Sequence, residues 1–420
     1  MAKAKRYVKG DAVTGSPMGT SFELDVVVIG GCGHVGLPLA LALADRGARV
    51  GIYDVSQVAV DAVRAGQMPF AEPGAAEVLR RVKMAGRLKV STEGAIVESA
   101  EHVIVVIGTP VDEHLNPDQG AIPTALDGCA DQLRSGQILI LRSTVYPRVT
   151  ALVEKMVAGL GVEVDVAFCP ERIAEGKAMT ELFELPQIIS ARTQRAVERA
   201  SRLFGLLTSK LVVMPPEEAE LAKLFTNAWR YANFAISNQF YMLSQSRGLD
   251  FYRIHDAVTR DYPRMKSFAR AGFAAGPCLL KDTLQLAAFS QNNFFLGHAA
   301  MLINEGLPMF LVEQLRPHGL ANKRVAILGM AFKAESDDKR DSLSFKLKKL
   351  LEVEAQEVLC TDPYLHESYF VSLETAIRNA DVVIIGAPHA VYRDVDIPEG
   401  KIVADPWNFV PARAMASTGA

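Results

Sequence analysis

The feature that most constrains this fold is an apolar, β-branched run, Leu24–Ile29, followed closely by a G-x-G-x-x-G motif at Gly31–Gly36. An apolar helical pattern, Leu37–Arg46, comes next, and a second apolar run, Ala48–Tyr53, ends at Asp54. Strand, glycine motif, helix, strand and acidic residue in this order are the fingerprint of a βαβ unit that binds a dinucleotide. The sequence therefore predicts that a doubly wound parallel sheet begins at Leu24.

The residues of this fingerprint are expected to have separate physical roles. Gly31 would permit the tight turn, Gly33 would let the backbone approach the pyrophosphate, and Gly36 would allow close packing between helix and strand. The helix N-terminus stabilises the phosphate charge. Asp54 is expected to accept hydrogen bonds from the adenosine ribose hydroxyls and to repel a 2′-phosphate, so NAD is favoured over NADP. Two further loop residues are expected near the cofactor, His34 and Val35.

Two later strand patterns end in residues that bear hydroxyl groups. The run His102–Ile107 leads to Thr109, and the run Gln137–Leu141 leads to Thr144. Because ligands bind at the carboxyl edge of an open α/β sheet, both threonines are candidate cofactor contacts. Helix capping is the alternative interpretation, since threonine is a common N-cap residue.

A long helical pattern fills the middle of the chain, from Glu217 to about Arg247. Lys223 and Asn227 are four residues apart and therefore share one face of this helix. An ammonium and an amide one turn apart can stabilise a developing oxyanion. A solvated helix face is the alternative interpretation of the same pair.

Cys278 is the most informative single residue outside the glycine motif. It follows the turn residues Gly276 and Pro277 and precedes Lys281 and Asp282. A thiol reacts as a thiolate, which nearby cations or a helix N-terminus stabilise, and the turn would place Cys278 at such a terminus. The alternative is a buried structural cysteine.

An alternation of strands and helices restarts near the C-terminus without a second G-x-G-x-x-G motif. Its strand patterns are Arg324–Leu328, Glu357–Cys360, Asp381–Ile385 and Lys401–Ala404. A charged loop follows the first of them and could contact phosphate or simply be solvated; its charged residues are Lys333, Asp337, Asp338 and Arg340. This region predicts a second α/β domain that binds something other than a dinucleotide.

Together these patterns predict an α/β protein with two Rossmann-like doubly wound parallel-sheet domains joined by a central helical domain. The predicted boundaries are a disordered N-terminal tail over residues 1–23, an NAD-binding domain over 24–214, a helical domain over 215–316 and a C-terminal domain over 317–420.

Composition narrows the function classes. A net charge of −3 over 420 residues argues against nucleic-acid or membrane partners recruited by bulk electrostatics. The five cysteines form no C-x-x-C pair and no metal-ligand spacing, so no metal site is expected and a reducing compartment is favoured. The tail lacks the apolar core of a secretory signal, and no uninterrupted apolar run reaches the length of a membrane span. We expect a cytoplasmic protein.

The motifs in their shared order resemble the UDP-glucose/GDP-mannose dehydrogenase family over about Leu24 to Phe409. The matching pieces are Gly31–Gly36, Gly108-Thr109-Pro110, Ser143-Thr144-Val145, Pro170-Glu171-Arg172 with Glu175-Gly176, Glu220–Lys223 with Asn227, Gly276-Pro277-Cys278 with Lys281-Asp282, and Gly329–Lys333 with Asp337-Asp338 and Arg340. The resemblance implies NAD-dependent, four-electron oxidation of C6 of a nucleotide sugar to a carboxylate. It also implies a homodimer or higher homo-oligomer with the long central helix in the dimer core.

The resemblance also implies roles for particular residues. Cys278 would form a thiohemiacetal and then a thioester, while Lys223 and Asn227 would stabilise the oxyanion. Asp282 would orient or deprotonate water, and Glu171 with Thr144 would complete the proton network. The residues expected to bind the UDP-sugar substrate are Glu171, Arg172, Lys223, Asn227, Arg264 and Lys333.

The substrate signals are mixed. Cys169–Arg172 and Tyr262-Pro263-Arg264 resemble members that act on UDP-N-acetylhexosamines, particularly N-acetylmannosamine. The segment Cys278–Asp282, with its lysine, resembles the UDP-glucose and GDP-mannose branches. Ala274 and Ala275 replace glycines of the family pattern and would narrow the space before the cysteine. An N-acetylhexosamine is the favoured substrate.

Two other functions fit parts of the sequence. A two-electron 3-hydroxyacid or 6-phosphogluconate-type dehydrogenase shares the NAD domain and the Lys/Asn pair, but needs neither Cys278 nor a second α/β domain. A catalytically silent NAD- or nucleotide-binding regulator would keep the fold without the reaction.

Overall fold

The computed structural model describes residues 22–112 and 116–410. The predicted N-terminal tail, residues 1–23, lies outside this range except for Phe22 and Glu23. The chain divides between Phe225 and Thr226 into two compact units. The three-domain boundaries expected from the sequence stay a prediction.

The first unit contains an eight-stranded sheet within the described residues. Its strands are β1 (Leu24–Ile29), β2 (Val50–Tyr53), β3 (Leu88–Ser91), β4 (Ala100–Val105), β5 (Ile138–Leu141), β6 (Asp165–Phe168), β7 (Gln187–Ala191) and β8 (Leu211–Val213). The spatial order is β3-β2-β1-β4-β5-β6-β7-β8. The first six strands are parallel, β7 pairs antiparallel with β6, and β8 is parallel to β7. The first six strands therefore have the order of a dinucleotide-binding fold.

Seven helices cover this sheet in the described part of the first unit. They are α1 (Gly36–Asp45), α2 (Gln57–Ala65), α3 (Ala75–Met84), α4 (Ala121–Asp127), α5 (Val149–Ala158), α6 (Ala178–Glu184) and α7 (Gln194–Gly205). Alternate residues of β1 enter two different cores: Val26 and Val28 pack on the side of α1, and Val27 and Ile29 on the side of α5. Both faces of the sheet are thus covered, which confirms the doubly wound prediction.

A thirty-residue helix, α8 (Pro216–Gln245), begins in the first unit and ends in the second. The other helices of the second unit are α9 (Phe251–Thr259), α10 (Leu279–Phe289), α11 (Phe295–Leu315), α12 (Leu343–Glu354) and α13 (Leu373–Asn379). Its parallel strands are β9 (Arg324–Leu328), β10 (Glu357–Thr361), β11 (Val382–Ile385) and β12 (Ile402–Ala404), in the order β10-β9-β11-β12. The predicted second α/β fold is confirmed.

One helical stretch of the described chain is long and apolar enough to span a membrane. Phe295–His318 reaches a mean hydropathy of 1.3. His298, Asn304 and Glu305 interrupt it, so the expectation that no uninterrupted apolar run has this length is not contradicted. The stretch also contains Pro308. Its buried residues Leu307 and Leu311 share a core with α12, as expected of a core helix in a globular unit.

Two glycines ahead of α10 have left-handed backbone conformations and contact the second sheet region. Gly272 has φ +142°, and a Cβ there would lie 2.3 Å from the Trp407 ring. Gly276 has φ +99°, and a Cβ there would lie 2.5 Å from the Phe332 ring. The segment that leads to Cys278 is therefore packed against two aromatic rings, and neither Gly272 nor Gly276 has room for a side chain.

We expect Gly272→Ala to destabilise the protein by about 3 kcal/mol, because it combines backbone strain with overpacking against Trp407. Chemical denaturation measures this change. The matched control is Gly205→Ala at the end of α7, where an added Cβ meets nothing within 4 Å. That control should be neutral or stabilising by up to about 1 kcal/mol, since alanine is the better helix former. Equal stabilities for the two variants would contradict the packing argument.

Candidate active site

The glycine motif forms the turn between β1 and α1. The left-handed residue of the turn is Gly30, with φ +72°, and the role of Gly31 in permitting the tight turn stays a prediction. Gly31 is instead restricted by space, because a Cβ there would lie 2.8 Å from Ile52 Cγ2. A Cβ at Gly36 would lie 2.6 Å from the Gly30 carbonyl oxygen, which supports its predicted packing role.

The motif leaves open space where a dinucleotide would bind. The nearest atom to a Cβ at Gly33 would be the Gly30 carbonyl oxygen at 3.8 Å, so a phosphate has room to approach the backbone. No side chain in the described part of the chain caps α1, which leaves N–H groups at its N-terminus for an anion. These residues fit a pyrophosphate.

Asp54 lies at the carboxyl end of β2 and organises the motif. Its Oδ2 accepts the Cys32 N–H at 2.9 Å, and its Oδ1 accepts the Ser56 N–H at 3.0 Å. Each carboxylate oxygen has further acceptor capacity, so the half-buried group can also receive ribose hydroxyls. The position and the chemistry support the predicted NAD contact.

The loops after β4 and β5 are joined by hydroxyl groups. Thr109 Oγ1 donates to the Thr144 carbonyl at 2.9 Å, and Ser143 Oγ accepts the Ile107 N–H at 2.8 Å. The N-cap residues of α4 and α5 are Gly120 and Arg148, so the helix-capping interpretation of both threonines was wrong. Thr109 and Thr144 are adjacent at the sheet edge, as expected of cofactor contacts.

Glu171 follows β6 and is a buried, fully engaged carboxylate. Its Oε2 forms an ion pair with Arg142, and its Oε1 accepts the N–H groups of Arg172 and Ile173 at 2.6 and 3.0 Å. Arg142 is fully buried and stacks on the Phe204 ring. The Glu171 carboxylate is therefore fixed in position by Arg142 and by its own loop.

Arg172 is directed into its own unit. Its guanidinium donates to the Pro186 carbonyl. Burial lowers the pKa of this half-buried side chain, although the nearby Glu171 carboxylate opposes that shift. The geometry thus gives Arg172 a contact with the β7 region, and its predicted role in substrate binding stays a prediction.

His34 projects from the glycine motif towards the loop that follows β6. Its ring centroid lies 4.0 Å from that of Phe70, and its Nδ1 lies 3.9 Å from Glu175 Oε1. Stacking and an acidic neighbour hold the imidazole beside the cofactor loop, which agrees with its predicted place. Val35 occupies the N-cap position of α1.

Lys223 and Asn227 are both buried on α8, with side chains 8% and 3% exposed. The alternative of a solvated helix face was therefore wrong. Asn227 Nδ2 donates to Asp282 Oδ2 at 2.6 Å. The Asn227 amide on α8 and the Asp282 carboxylate on α10 thus form a buried polar contact between two helices.

Asp282 is fully buried in the first turn of α10. Lys281 Nζ lies 2.7 Å from Asp282 Oδ1 and forms an ion pair with it, although the angles do not meet those of a hydrogen bond. The Asp282 N–H donates to the Cys278 carbonyl at 2.9 Å, so the two residues are one turn apart on the same helix. Cys278, Asp282 and Asn227 are thereby brought into one cluster.

Cys278 differs from the other four cysteines, all of which the structure describes. It is exposed at the N-cap of α10, so the buried structural alternative was wrong. Burial raises the pKa of the Cys129 thiol to about 11 and that of the Cys32, Cys169 and Cys360 thiols to about 12. The accessible thiol at a helix N-terminus is the one suited to nucleophilic chemistry.

Two predicted substrate residues lie elsewhere in the second unit. Lys333 follows β9, with its Nζ 5.4 Å from the Phe332 ring centroid, and Phe332 is the ring that packs on Gly276. Arg264 is exposed and contacts Tyr262, with its guanidinium 5.6 Å from that ring. The Lys333 loop is thus linked to the Cys278 turn, whereas Arg264 lies on the surface of this chain.

Sequence reasoning missed a buried acid–histidine cluster at the carboxyl edge of the second sheet. Asp362 Oδ2 accepts the N–H groups of Met330 and Ala331 at 2.6 and 2.9 Å and lies 3.2 Å from His389 Nε2. Burial alone would raise the pKa of Asp362, but hydrogen bonds from His389 and from the backbone outweigh it and lower the pKa. Its place after β10, like that of Asp54 after β2, was the available signal.

The internal bonds of Asp362 distinguish the two α/β folds. Its second oxygen, Oδ1, accepts the N–H groups of Tyr364 and Leu365 at 2.8 and 3.0 Å. Asp54 accepts two N–H groups and keeps acceptor capacity, whereas the fully buried Asp362 side chain accepts four and also contacts His389. Within the described residues, the carboxylate that follows β10 is therefore bound by its own chain rather than open to a dinucleotide ribose.

Three family models match consecutive parts of the chain. The NAD binding domain of the UDP-glucose/GDP-mannose dehydrogenase family matches residues 25–208, its central domain 217–305 and its UDP binding domain 326–413. Together they account for most of the 420 residues.

Individual relatives agree with these models. The UDP-N-acetyl-D-mannosamine dehydrogenase of Pyrococcus horikoshii is 28% identical over 382 residues, 88% of this chain and 91% of the relative. The NDP-N-acetyl-D-galactosaminuronic acid dehydrogenase of Ralstonia nicotianae is 26% identical over 95% of this chain and 100% of the relative. A UDP-glucose dehydrogenase structure from Pyrobaculum islandicum has a TM-score of 0.86 at 29% identity, covering 95% of this chain and 96% of its own.

Proposed function

Because this chain belongs to the UDP-glucose/GDP-mannose dehydrogenase family, we propose that it oxidises C6 of a UDP-sugar to the uronate with NAD. The observation that carries the proposal is the accessible Cys278 thiol at the N-terminus of α10, one turn from the buried Asp282. NAD supplies the hydride acceptor for each of the two oxidations. A nucleophile is needed only for the second.

The proposed reaction balances as two two-electron oxidations and one hydrolysis. The C6 alcohol loses a hydride and a proton to give the aldehyde. The Cys278 thiolate adds to the aldehyde carbon, and the resulting thiohemiacetal loses a second hydride and its hydroxyl proton to give a thioester. Water then cleaves the carbon–sulfur bond, which releases the carboxylate and restores the thiol.

The chain offers a group for each step. Lys223 and Asn227 stabilise the oxyanion at C6, since a buried cation and amide are strong donors at low dielectric. Asp282, held by Asn227 and Lys281, orients or deprotonates the water. Glu171 and Thr144 contribute a fixed charge and a hydroxyl near the cofactor edge, and Lys333 contacts the nucleotide phosphates, with Arg172 and Arg264 as further substrate contacts.

We favour a UDP-N-acetylhexosamine, such as UDP-N-acetylmannosamine, over UDP-glucose. Two observations support this choice: the segments Cys169–Arg172 and Tyr262–Arg264, and relatives named for N-acetylated sugars. Ala274 is buried in an apolar cluster with Tyr231 and Leu279. Its methyl group fills protein interior, so the alanine does not argue against a bulky sugar.

A substrate panel tests the proposal. Purified protein is incubated with NAD and either UDP-N-acetylmannosamine, UDP-N-acetylgalactosamine, UDP-glucose or GDP-mannose, and the NADH formed per sugar consumed is measured. Two NADH with one of the UDP-sugars is the expected result. One NADH would indicate a two-electron dehydrogenase, and no NADH with any sugar would indicate a silent nucleotide-binding protein. Since NAD and free thiols are used, we place the reaction in the cytoplasm.

We also propose that the chain forms a homodimer through α8. This helix carries a stripe of exposed large apolar side chains at helical spacing, Phe225, Trp229, Ile236, Phe240 and Leu243. A contiguous apolar face of this kind marks an interaction surface, and a second copy of the same helix is the occupant that fits its apolar chemistry along its whole length.

We expect Trp229→Glu to weaken the dimer by about 30-fold to 1,000-fold, because the indole is 64% exposed in the single chain and a central tryptophan is a typical interface anchor. Sedimentation velocity over a concentration series measures the shift. Val353→Glu is the matched control, since Val353 is 86% exposed on α12 away from the stripe. A monomeric unmodified protein would disprove the proposal.

A further inference from the structure

The backbone of Gly272, six residues before Cys278, is held by a buried asparagine. Asn238 Oδ1 accepts the Gly272 N–H at 2.9 Å, and Asn238 Nδ2 donates to the Gly272 carbonyl at 3.1 Å. The asparagine is fully buried on α8. Both polar groups of Gly272 are therefore paired with one side chain, which fixes the position and the orientation of this residue.

A second asparagine holds the first in place. Asn238 Nδ2 also donates to Asn304 Oδ1 at 2.9 Å, and Asn304 Nδ2 donates to the Tyr231 carbonyl at 3.0 Å. Both asparagines are fully buried. Because an unpaired amide in this interior is costly, the chain of hydrogen bonds permits one amide orientation at each position.

Asn227 and Asn238 bracket Cys278 from the same helix. They are eleven residues apart, about three turns of α8, and so lie on one face. Asn227 bonds Asp282, four residues after Cys278, and Asn238 bonds Gly272, six residues before it. The turn between these anchors carries the thiol, and the rings of Trp407 and Phe332 pack against its Gly272 and Gly276.

We infer that Asn238 is a positioning residue for Cys278: through the Gly272 peptide it holds the sulfur where it captures the aldehyde. The inference rests on the proposed role of Cys278 as nucleophile. The role suits an amide side chain, because pairing both the N–H and the C=O of one residue needs an adjacent acceptor and donor. Aspartate keeps the shape and the acceptor but loses the donor to Gly272 and Asn304.

The selective readout is the second oxidation. Removal of the alcohol hydride does not use sulfur, whereas thiohemiacetal formation does. We expect Asn238→Asp to lower the NADH formed per sugar from two towards one, with free aldehyde trapped as its oxime by hydroxylamine. The kcat for uronate should fall by about 100-fold, the scale of an ångström-sized misplacement. Since Asn238 is outside the unit with the glycine motif, the Kd for NAD should change less than about threefold.

Alkylation of Cys278 by iodoacetamide gives a readout without any sugar. The other four thiols are buried, so labelling reports one site, which peptide mass mapping verifies. The labelling rate of Asn238→Asp should differ from that of the unmodified protein by about fivefold or more, because the sulfur leaves its place at the N-cap. Circular dichroism and thermal unfolding establish that the variant is folded.

Two further variants keep the test decisive. Asn304→Ala loosens Asn238 while leaving its pair with Gly272, so a smaller shift in the same direction is expected if Asn238→Asp does not fold. Ser237→Ala is the matched control: its hydroxyl donates to the Ala269 carbonyl at 2.7 Å, a buried bond from the same helix that does not involve Gly272. It should keep two NADH per sugar and the ordinary labelling rate.

The outcomes separate this inference from the proposed function. A labelling rate within twofold of the unmodified protein in both asparagine variants overturns the positioning role, whatever the sugar panel shows. A ratio that stays at two NADH with unchanged kcat overturns it as well. Failure of the unmodified protein to oxidise any sugar overturns the proposed function. The labelling rates then still show whether Asn238 positions the Cys278 turn.

Discussion

Cys278→Ser is expected to abolish uronate formation, with a loss of at least about 1,000-fold, while NAD binding is unchanged. A serine hydroxyl is a far weaker nucleophile than a thiolate. The first oxidation does not need the sulfur, so one NADH per sugar and free aldehyde should remain. Coupled NADH and uronate assays measure both products.

The matched control for this substitution is Cys129→Ser. Cys129 is buried and its thiol donates to the Ala125 carbonyl, so a serine can keep the contact. Activity close to that of the unmodified protein is expected for the control. Undiminished uronate formation by Cys278→Ser would disprove the covalent mechanism, because no other cysteine is exposed.

Asp282→Asn is expected to stop the cycle one step later than Cys278→Ser. The amide cannot take a proton from water, so hydrolysis should slow by about 100-fold to 10,000-fold, the usual size of a general-base contribution. Both oxidations precede that step. A rapid burst of two NADH per active site should appear, followed by slow turnover, and intact-protein mass spectrometry should find the acyl group on Cys278.

Asp256→Asn makes the same chemical change at an exposed position of α9, and it should show neither the burst nor the mass increase. Thermal unfolding must accompany the Asp282 variant, because its carboxylate is buried beside Lys281 and Asn227. Steady turnover by Asp282→Asn at the unmodified rate would place water activation on another group. Glu171 is the next candidate, but Arg142 already holds its carboxylate.

Local sequence patterns predicted most strands because parallel strands are buried on both faces and read as continuous apolar runs. The runs at Leu24–Ile29 and Arg324–Leu328 match strands residue for residue. The antiparallel pairing of β7 with β6 was beyond such reasoning. Pairing direction depends on the path of the connection, and a short strand has the same composition either way.

The sequence identified candidate site residues but not the contacts that hold them in place. The residues Lys223, Asn227, Asp282 and Cys278 were identifiable from their motifs, because each chemical role needs a particular side chain. The ion pair between Arg142 and Glu171 and the bond between Asn238 and Gly272 were not. Such contacts join residues that are 29 and 34 positions apart, and no periodic pattern links them.

The sequence by itself determined the order of strands and helices, the dinucleotide motif with Asp54, and the presence of a cysteine before a helix. These properties follow from hydrophobic periodicity and from residue types, such as glycine and cysteine, that particular backbone conformations or reactions need. Only the tertiary structure decided that Lys223 and Asn227 are buried, that Cys278 alone among the cysteines is accessible, and that Asp362 is occupied by its own chain. Burial and partner choice depend on which distant segments pack together, and that is a property of the whole fold.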